Sequence, residues 1–508
     1  MKKYFLAALL TVSSLTFVSA RIVNPVIPGD HPDPSVVEIN GEYWASATSN
    51  EWSPLFPIYK STDLENWELV NYVFPGGAPE WARNNFWAPE ISYDEKQGKV
   101  YIYYTARDKK SNRLSCAAAV ADSPMGEFRD LGPLVAQEPG SIDAYATRDE
   151  NGKLSLVWKE DGNSMGRPTY MWAQEMAEDR TRLLGQPVKL FRNDTPWEEG
   201  LVEGACVFRR NGYFYMLYSA ASCCDIECNY KTGVARAKSL LGPWEKYDRN
   251  PILVNNPEWK CPGHGTVIQK DGKDYYLYHA YNTSSSVYVG RQVLLEELCW
   301  SDDGWPYFKN DAVYNRANTS LDYASSFDGE NIDPVWQWRV TQDIDYSTGK
   351  DGLILGASHE NRDLGTLLVQ SVKALDFTLT ATVDNRNSDA AAGIGIIGGI
   401  DNSFGAPLAG IGISVTRDKA FVWKNVDGKI EIIAESPVKK SKDTRLRMTV
   451  HGGFMLGFEV FKKNKWVTVA SGIDASPYVP WGMAFRIGLC ARGEDGSSVN
   501  YRKIELQH

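Results

Sequence analysis

The sequence lacks the features by which several common protein classes are recognised. After residue 20 there is no run of the roughly 18 apolar residues that a membrane-spanning helix needs. Acidic residues outnumber basic ones by 64 to 54, and the net charge of -10 argues against nucleic acid or an anionic membrane as a partner. No HExxH, P-loop or GxSxG motif occurs, nor a GxGxxG between a strand and a helix. These absences disfavour zinc proteases, P-loop nucleotide hydrolases, nucleophile-elbow hydrolases and dinucleotide-dependent enzymes.

The first twenty residues, MKKYFLAALLTVSSLTFVSA, combine two lysines, an apolar run and a small-residue end. This pattern is typical of a secretory signal peptide and predicts cleavage after Ala20. The apolar run is too short for a comfortable membrane span, and no cysteine follows it to accept a lipid. We therefore expect an exported protein, periplasmic or extracellular, without membrane insertion.

Cysteine is scarce, with eight residues in 508, and three of them cluster in SCCDIECNY. In an oxidising compartment, a short disulfide from this cluster to Cys228 is one interpretation. A zinc site built on Cys223, Cys224 and Cys228 is the alternative. The absence of a nearby histidine and of a paired CxxC spacing disfavours zinc.

Aromatic residues are abundant, at 12% of the chain, with 17 Trp and 26 Tyr. They favour strands, and in a cleft they offer flat faces to a ligand. The chain shows almost no helical periodicity, so we predict an all-β fold. Its length of 508 residues exceeds what a single core usually organises, which predicts two domains.

One hairpin unit recurs five times in the first 300 residues. Each copy is a short β-rich run, a turn with glycine and an aromatic strand, as in DPSVVEINGEYW. The turn glycines are Gly41, Gly98, Gly152, Gly212 and Gly272, separated by 57, 54, 60 and 60 residues. A strand repeat of this period predicts a five-bladed β-propeller over residues 21–322. We expect the segment YVGRQVLLEEL to help close the ring with the early NPVIP.

The residue eight or nine positions before each turn glycine carries a polar side chain: Asp33, Glu90, Asp143, Glu203 and His264. The first strand of every propeller blade starts beside the axis, so these five residues are expected at one mouth of the channel. Packing four carboxylates together is costly unless a cation or a reaction uses them. The alternative is that each acid caps nearby backbone or that the ring binds a structural cation.

Paired carboxylates without a metal motif or a nucleophile elbow indicate glycoside hydrolysis. One carboxylic acid protonates the leaving oxygen, while the other carboxylate activates water or attacks the sugar. Because these two groups would come from different blades, we expect the wide separation, roughly 6.5 to 9.5 Å, that leaves room for water and gives inversion.

Three segments, NPVIPGDHPDPSVV, GSIDA and LVEGACVFRRNGYFYMLYS, resemble the carboxylate motifs of glycoside hydrolase family 43, in order, over roughly residues 21–320. The resemblance implies that Asp33 is the general base and Glu203 the general acid. It implies that Asp143 orients that acid and modulates its pKa. The family more often has proline where this chain has Ala205, a departure that does not affect the glutamate.

Three further segments carry the same resemblance. FWAPEISY implies that Trp87 and Glu90 border the sugar pocket, and GRQ implies that Arg291 contacts substrate. GHG implies that His264 lies under the site, where it would bind substrate or stand next to a channel cation. The alternatives are packing between blades for Trp87, an ion pair with a ring acid for Arg291 and a structural role for His264.

The predicted activity is that of an inverting exo-glycoside hydrolase acting on an oligo- or polysaccharide. The insert SAASCCDIECNYKTGVARA resembles branches of the family with exo-acting arabinofuranosidases, which favours removal of terminal α-L-arabinofuranosyl units from plant polysaccharides. A β-D-xylosidase and a galactan- or galactofuranoside-acting hydrolase are the alternatives within the family. A non-catalytic glycan-binding propeller is the alternative from another class. We expect no required cofactor, with a structural cation such as calcium as the one candidate.

After about residue 322 the hairpin period ends and alternating strands continue, as in FTLTATVD and FMLGFEVF. This pattern predicts a β-sandwich of jelly-roll or lectin-like type over residues 323–508. It resembles the C-terminal sandwich attached to many members of the family. The domain is either a carbohydrate-binding module or a scaffold that packs on the propeller and lends a loop to the pocket.

Overall fold

A computed structural model describes residues 22–314, 321–386, 389–399, 408–426 and 428–508. The predicted signal peptide, residues 1–20, lies outside the described residues. The described chain is almost wholly β-strand, which confirms the predicted class. Helical structure in these ranges is limited to short segments: α1 (Ser286–Val289), α2 (Glu360–Asp363) and 3-10 turns at Gly162–Met165, Pro196–Glu198 and Ser476–Tyr478. None of these helices is long and apolar enough to cross a membrane.

Five four-stranded antiparallel sheets follow one another along the first part of the chain. The first comprises β1 (Ser35–Ile39), β2 (Glu42–Ser46), β4 (Leu55–Ser61) and β5 (Glu68–Phe74), with β3 (Trp52–Ser53) outside it. The second comprises β6 (Ala82–Asp94), β7 (Lys99–Asp108), β8 (Leu114–Ala121) and β9 (Arg129–Val135). The third comprises β10 (Ser141–Arg148), β11 (Leu154–Glu160), β12 (Tyr170–Met176) and β13 (Leu183–Arg192). The fourth comprises β14 (Val202–Arg210), β15 (Tyr213–Ala220), β16 (Lys231–Ala237) and β17 (Glu245–Lys246). The fifth comprises β18 (Trp259–Lys270), β19 (Lys273–Asn282), β20 (Arg291–Trp300) and β21 (Pro306–Tyr307).

The repeated glycines lie in the turns between the first two strands of these sheets. In three hairpins both central residues have positive φ: Asn40-Gly41, Asn211-Gly212 and Asp271-Gly272. Two consecutive positive φ angles are the signature of a type I′ turn, whose twist matches that of the flanking strands, and Asn-Gly and Asp-Gly are its favoured pairs. The local sequence therefore fixes the register of these hairpins.

The first strands of the five sheets contact one another in a cycle. β1 contacts β6, β6 contacts β10, β10 contacts β14, β14 contacts β18, and β18 contacts β1 again. The N-terminal segment joins the fifth sheet, because Ile27 forms a bridge with Val293 and the Asn24 side chain bonds the backbone of Leu295. The starts of the first strands are thus brought close together.

The second part of the chain forms two larger sheets. The eight-stranded sheet contains β24 (Tyr346–Ser347), β25 (Leu353–Gly356), β36 (Ser498–Gln507), β27 (Phe377–Asp384), β32 (Thr444–His451), β33 (Met455–Lys462) and β34 (Lys465–Asp474), with β22 (Tyr323–Ser325) beside β36. The six-stranded sheet contains β26 (Thr366–Ser371), β35 (Arg486–Arg492), β28 (Ala391–Gly399), β29 (Leu408–Val415), β30 (Lys419–Val426) and β31 (Lys429–Pro437). β23 (Trp338–Arg339) pairs with β3 and so connects the two parts of the chain.

Burial along the strands shows how these sheets are covered. In β27 the residues alternate between buried and half-buried, as in a strand with one face in a core. β28 and β29 are buried throughout, so both of their faces are covered. The two sheets share one hydrophobic core, and a second cluster packs Trp52 from the first part of the chain with residues such as Ile397 and Phe421. The six-stranded sheet therefore lies next to the five-sheet part.

A buried ion pair reinforces this contact. The Arg486 guanidinium lies 3.3 Å from Oδ2 of Asp30, and the backbone N–H of Ala484 donates to the same oxygen at 3.1 Å. Both charged residues are 2% exposed. The other oxygen of Asp30 accepts from the backbone N–H of Arg291 at 3.3 Å. One carboxylate thus joins the N-terminal segment, the fifth sheet and the six-stranded sheet.

We expect Asp30→Asn to lower the free energy of unfolding by about 3 kcal/mol, because it leaves the buried Arg486 without a countercharge. Urea denaturation followed by tryptophan fluorescence measures the change. Glu138→Gln is the control, since it breaks an exposed ion pair with Arg167 and should leave the midpoint unchanged. Equal midpoints for wild type and Asp30→Asn would show that this pair does not hold the two parts together.

Candidate active site

A cavity of about 420 Å³ lies where the first strands of the five sheets begin. Four sheets contribute ionisable side chains to its wall and the remaining sheet contributes an indole. These residues are Asp33, Asp143, Glu203, His264, Arg291 and Trp87. The cavity therefore brings together every residue singled out from the sequence except Glu90.

Backbone bulges direct these side chains into the cavity. Asp33, Asp143 and His264 have φ angles of 54°, 58° and 43°, in the left-handed region that non-glycine residues rarely adopt. The pairing of β10 with β11 shifts register between Ile142 and Tyr145, so the bulge contains Asp143. A bulge re-aims the side chain it contains, and such backbone strain clusters at functional sites.

Glu90 lies outside the cavity lining, contrary to the prediction that it borders the sugar pocket. Its carboxylate accepts a hydrogen bond from the hydroxyl of Thr266, two residues beyond His264. On the strand that carries Glu90, the residue with a left-handed backbone is Ala88, whose φ is 45°. The count from Gly98 misplaces the register, because Asp94 pairs with Lys99 across a four-residue loop, whereas the first, fourth and fifth hairpins have two-residue turns. Burial raises the pKa of Glu90 well above its ordinary value, which favours a neutral carboxyl.

Asp33 is held by donors and positive charge. Thr48 donates to its Oδ2 at 2.8 Å, and its Oδ1 lies 3.4 Å from the Arg291 guanidinium. Nδ1 of His264 and Nδ1 of His279 lie 3.4 and 3.3 Å from the same oxygen. Burial opposes ionisation of Asp33, but Arg291, the two histidines and the Thr48 hydroxyl outweigh it and lower its pKa to about 2. Asp33 is therefore ionised across the physiological range.

Glu203 has a donor on each oxygen. The ammonium of Lys159 donates to Oε2 at 2.7 Å, and the hydroxyl of Tyr230 donates to Oε1 at 2.8 Å. Lys159 is 1% exposed and also donates to Asp161 at 3.1 Å. Burial opposes its charge, but Glu203 and the other nearby carboxylates outweigh burial and raise the pKa of Lys159. Lys159 is thus a fixed positive charge beside Glu203.

Asp143 lies between the other two acids. The backbone N–H of Gly204, the residue after Glu203, donates to its Oδ2 at 3.0 Å. His264 Nδ1 lies 4.0 Å from that oxygen. Burial and the charge of Glu203 raise the pKa of Asp143 to about 6, against the opposing effect of His264 and Lys159. Asp143 thus couples electrostatically to Glu203 and contacts the backbone that carries it.

Sequence reasoning missed Lys159, Tyr230 and His279. Lys159 lies in LVWKE, where a lysine inside a buried aromatic strand is the signal that could have identified it, since a buried lysine needs a charged partner. Tyr230 and His279 are stacked, with ring planes 3° apart, and carry no comparable signal. His279 lies on β19, which looks like ordinary aromatic core, and Tyr230 immediately precedes β16.

The C-terminal part of the chain completes the cavity wall. Trp481, Gly482 and Met483 line it, and the carbonyl oxygen of Gly482 accepts a hydrogen bond from Arg291 at 3.0 Å. Of the two sequence interpretations of this domain, this contact matches the scaffold that lends a loop to the pocket. The same bond orients Arg291, whose guanidinium also lies beside Asp33.

The cysteines do not pair as expected. Cys223 forms a disulfide with its neighbour Cys224, and Cys228 forms one with Cys261, 33 residues away. The predicted short bridge to Cys228 is therefore wrong, because the fold brings the start of β18 next to the cysteine loop. Within the described ranges no group of three or more His, Cys, Asp or Glu residues is arranged to hold a metal ion. The zinc alternative has no support in that part of the chain.

An all-β chain with a carboxylate-lined cavity, in which Asp33 accepts from Thr48 and Arg291 and Glu203 lies beside a lysine, has the features of a glycoside hydrolase. The model of glycosyl hydrolases family 43 matches residues 22–306, and the chain belongs to this family. The resemblance stated from the sequence motifs is confirmed.

Relatives with known names match the same region. The chain is 26% identical over 314 residues to xylosidase/arabinosidase 43B of Humicola insolens, a match that covers 58% of this chain and 56% of that protein. It is 26% identical over 331 residues to an extracellular exo-α-(1→5)-L-arabinofuranosidase of Cellvibrio japonicus, covering 58% and 91%. The chain thus spans little more than half the length of some curated relatives it matches.

Solved structures match almost the whole chain. A xylan β-1,4-xylosidase of Bacillus halodurans superposes with a TM-score of 0.79 at 18% identity, covering 96% of this chain and 100% of that one. At this identity the likeness shows the fold alone. It extends over both parts of the chain.

The opposite pKa shifts of Asp33 and Asp143 predict opposite effects on stability. The pKa of Asp33 is lower in the folded protein than in the unfolded chain, where it is near 3.8, so ionised Asp33 stabilises the fold above pH 3.8. This stabilisation is lost as the pH falls through about 2. The raised pKa of Asp143 gives a contribution that is present below 3.8 and is lost as pH rises through about 6. We therefore expect Asp143→Asn to gain stability over wild type at pH 7, on the order of 2–3 kcal/mol at most.

Asp33→Asn is the matched control and should lose stability at pH 7. Urea midpoints of wild type and both variants at pH 4 and pH 7 measure these differences. The gain of Asp143→Asn should shrink at pH 4. A gain that is equal at both pH values would contradict the electrostatic cause.

Proposed function

We propose that the protein is an inverting exo-glycosidase that removes terminal pentosyl units, α-L-arabinofuranosyl units first, from plant polysaccharides. The observation that carries this proposal is the contrast between two carboxylates on one cavity. Asp33 is surrounded by positive charge and donors, whereas Glu203 is held by a lysine and a tyrosine next to a second carboxyl group. Such a contrast separates a base from an acid.

In this proposal Asp33 is the general base. Its pKa of about 2 keeps it ionised at any pH at which the enzyme works, ready to take a proton from water. Arg291 and Thr48 hold the carboxylate in place through its two oxygens. The water then attacks the anomeric carbon from the face opposite the leaving group, which gives inversion.

Glu203 is the proposed general acid. Its transferable proton belongs on Oε1, because Oε2 is bound by Lys159, and an ammonium can only donate. On Oε1 the proton faces Tyr230, whose hydroxyl can turn from donor to acceptor. Once Glu203 has given its proton to the leaving oxygen, Lys159 stabilises the carboxylate that forms. Asp143 holds the acid in position through Gly204 and adds negative charge that favours its protonated form.

The shape of the site supports exo action. We infer that the cycle of first-strand contacts is a five-bladed propeller and that the two larger sheets form a sandwich packed beside it. Trp481–Met483 then close one side of the cavity, which favours a pocket that takes a chain end over a groove that a polymer crosses. Trp87 on the wall offers a flat face for the sugar.

The choice of pentose rests on the cysteine-containing insert, which resembles arabinofuranosidase branches and which lies on the cavity wall. A β-D-xylosidase is the second candidate, because the names of the relatives include xylosidases as well as arabinofuranosidases. A galactan- or galactofuranoside-acting enzyme is a third. Sugars released from arabinan, arabinoxylan and arabinogalactan distinguish these substrates.

Export and cation binding complete the proposal. Cleavage after Ala20 would place the protein in an oxidising compartment, which suits its two disulfides. The two carboxylates supply both proton transfers, so the proposed reaction requires no cofactor. A cation such as calcium near His264 would act on structure, since this histidine faces Asp33 and Asp143.

We expect Glu203→Gln and Asp33→Asn each to lower kcat by about 10³-fold on an unactivated glycoside, as loss of general acid or base catalysis does. On a 2,4-dinitrophenyl pentoside, whose leaving group needs little protonation, Glu203→Gln should regain most of its activity and Asp33→Asn should not. Proton NMR of the wild-type product should show inversion. Unchanged activity in both variants would place catalysis at another site, and a wild type without activity would indicate a glycan-binding protein. Retention would remove the role of Asp33 as a base.

We expect Lys159→Met to move the basic limb of the pH profile of kcat/KM upward by about one pH unit or more, because the positive charge no longer stabilises the Glu203 carboxylate. The profile on a 4-nitrophenyl pentoside measures the shift. Lys153→Met removes an exposed ion pair with Glu175 and is the matched control. If Lys159→Met lowered the rate equally at every pH, its role would be structural.

A further inference from the structure

The Cys223–Cys224 disulfide lies on the wall of the active-site cavity. Both residues line it, together with Ala221 and Ser222. Cys224 is 3% exposed and Cys223 is half-buried. None of the catalytic steps proposed above uses this disulfide, so its position calls for a separate explanation.

This bridge is not a device for fold stability. A disulfide stabilises a protein mainly by restricting the unfolded chain, and the effect grows with the length of the loop that it closes. Adjacent cysteines close no loop, whereas Cys228–Cys261 closes one of 33 residues. The second bridge already anchors the same loop to β18. The first bridge can therefore affect only the shape and chemistry of its immediate surroundings.

The disulfide lies on the side of the cavity that carries the general acid. In the fourth sheet Glu203 of β14 is paired with Ser219 of β15, and Val202 is paired with Ala220. The chain then continues from the end of β15 into the disulfide. Asp33 and Arg291 belong to the first and fifth sheets. Because the acid protonates the leaving oxygen, the wall beside Glu203 is the wall that the leaving sugar meets.

The surface presented there is apolar and firmly supported. Two sulfur atoms joined in a bridge are polarisable and carry no charge, and they lack the rotational freedom of two separate side chains. Leu201 and Met483 add apolar surface on the same cavity wall. Cys224 packs close to Gly482, since a Cβ at that glycine would lie 3.9 Å from the Cβ of Cys224. The bridge is thus held between the acid-bearing sheet and the C-terminal part of the chain.

Such a surface matches the C–H face of a sugar ring. Polar groups for ring hydroxyls lie on the same wall at Ser222 and Glu199. We propose that the Cys223–Cys224 disulfide is the platform that binds the sugar on the leaving-group side of the scissile bond. This inference rests on the proposed function and extends it, because it assigns an oligosaccharide as the substrate and one side of its linkage to a specific surface.

The test compares two substrates in wild type and in the Cys223→Ala/Cys224→Ala double variant. One is a pentosyl oligosaccharide, which places a sugar on the platform, and the other is the methyl pentoside of the same series, which does not. We expect the double variant to lose about 10-fold in kcat/KM on the oligosaccharide, mostly through KM, as loss of an apolar contact in a pocket does. The methyl pentoside should change less than twofold. Cys299→Ala, which removes a free cysteine away from the cavity, is the control.

A second measurement covers the case in which the double variant folds poorly. The oligosaccharide that the reaction leaves behind should inhibit methyl pentoside hydrolysis. Its inhibition constant should rise about 10-fold in the double variant, measured on the molecules that remain active. An equal loss on both substrates, or an unchanged ratio, overturns the platform. If the wild type hydrolyses no pentoside, the proposed function is wrong, and the platform then has no role in turnover. These results are distinct.

Discussion

Asp33, Asp143 and Glu203 line the same cavity and their charges repel one another, and the rest of the site depends on how that repulsion is balanced. Arg291 and His264 lie beside Asp33, and Lys159 pairs with Glu203. Arg291 and His264 come from the fifth sheet and Lys159 from the third, so Asp33 and Glu203 both depend on charge from another sheet. The closed cycle of sheets is therefore a requirement of the charge arrangement as well as of packing.

This balance also gives two of the acids different pKa values. Hydrogen-bond donors and positive charge lower the pKa of Asp33, so it is ionised. Burial and a neighbouring acid raise the pKa of Asp143. The same residue type thus has pKa values of about 2 and about 6 within one cavity. Glu203 has a lysine on one oxygen and a tyrosine on the other. An enzyme of this family needs such a gradient, because acid and base must hold opposite protonation states at one pH.

The C-terminal part of the chain takes part in the site through two contacts. Asp30 and Arg486 join it to the five-sheet part by a buried ion pair, and Gly482 orients Arg291. The cysteine loop lies against the same segment. The wall of the cavity is consequently shared between parts of the chain that are distant in sequence.

The sequence by itself determined the all-β class, the five hairpins, the family and the three acids, because turn glycines and strand alternation are local signals that survive without tertiary information. Only the tertiary structure decided that Glu90 lies outside the cavity lining, since the four-residue loop before β7 shifts its register against the hairpins with two-residue turns. It also decided the partners of the acids and the pairing of the cysteines. Lys159 meets Glu203 across 44 residues and Cys228 meets Cys261 across 33, and such distances are set by how the sheets pack around the cavity.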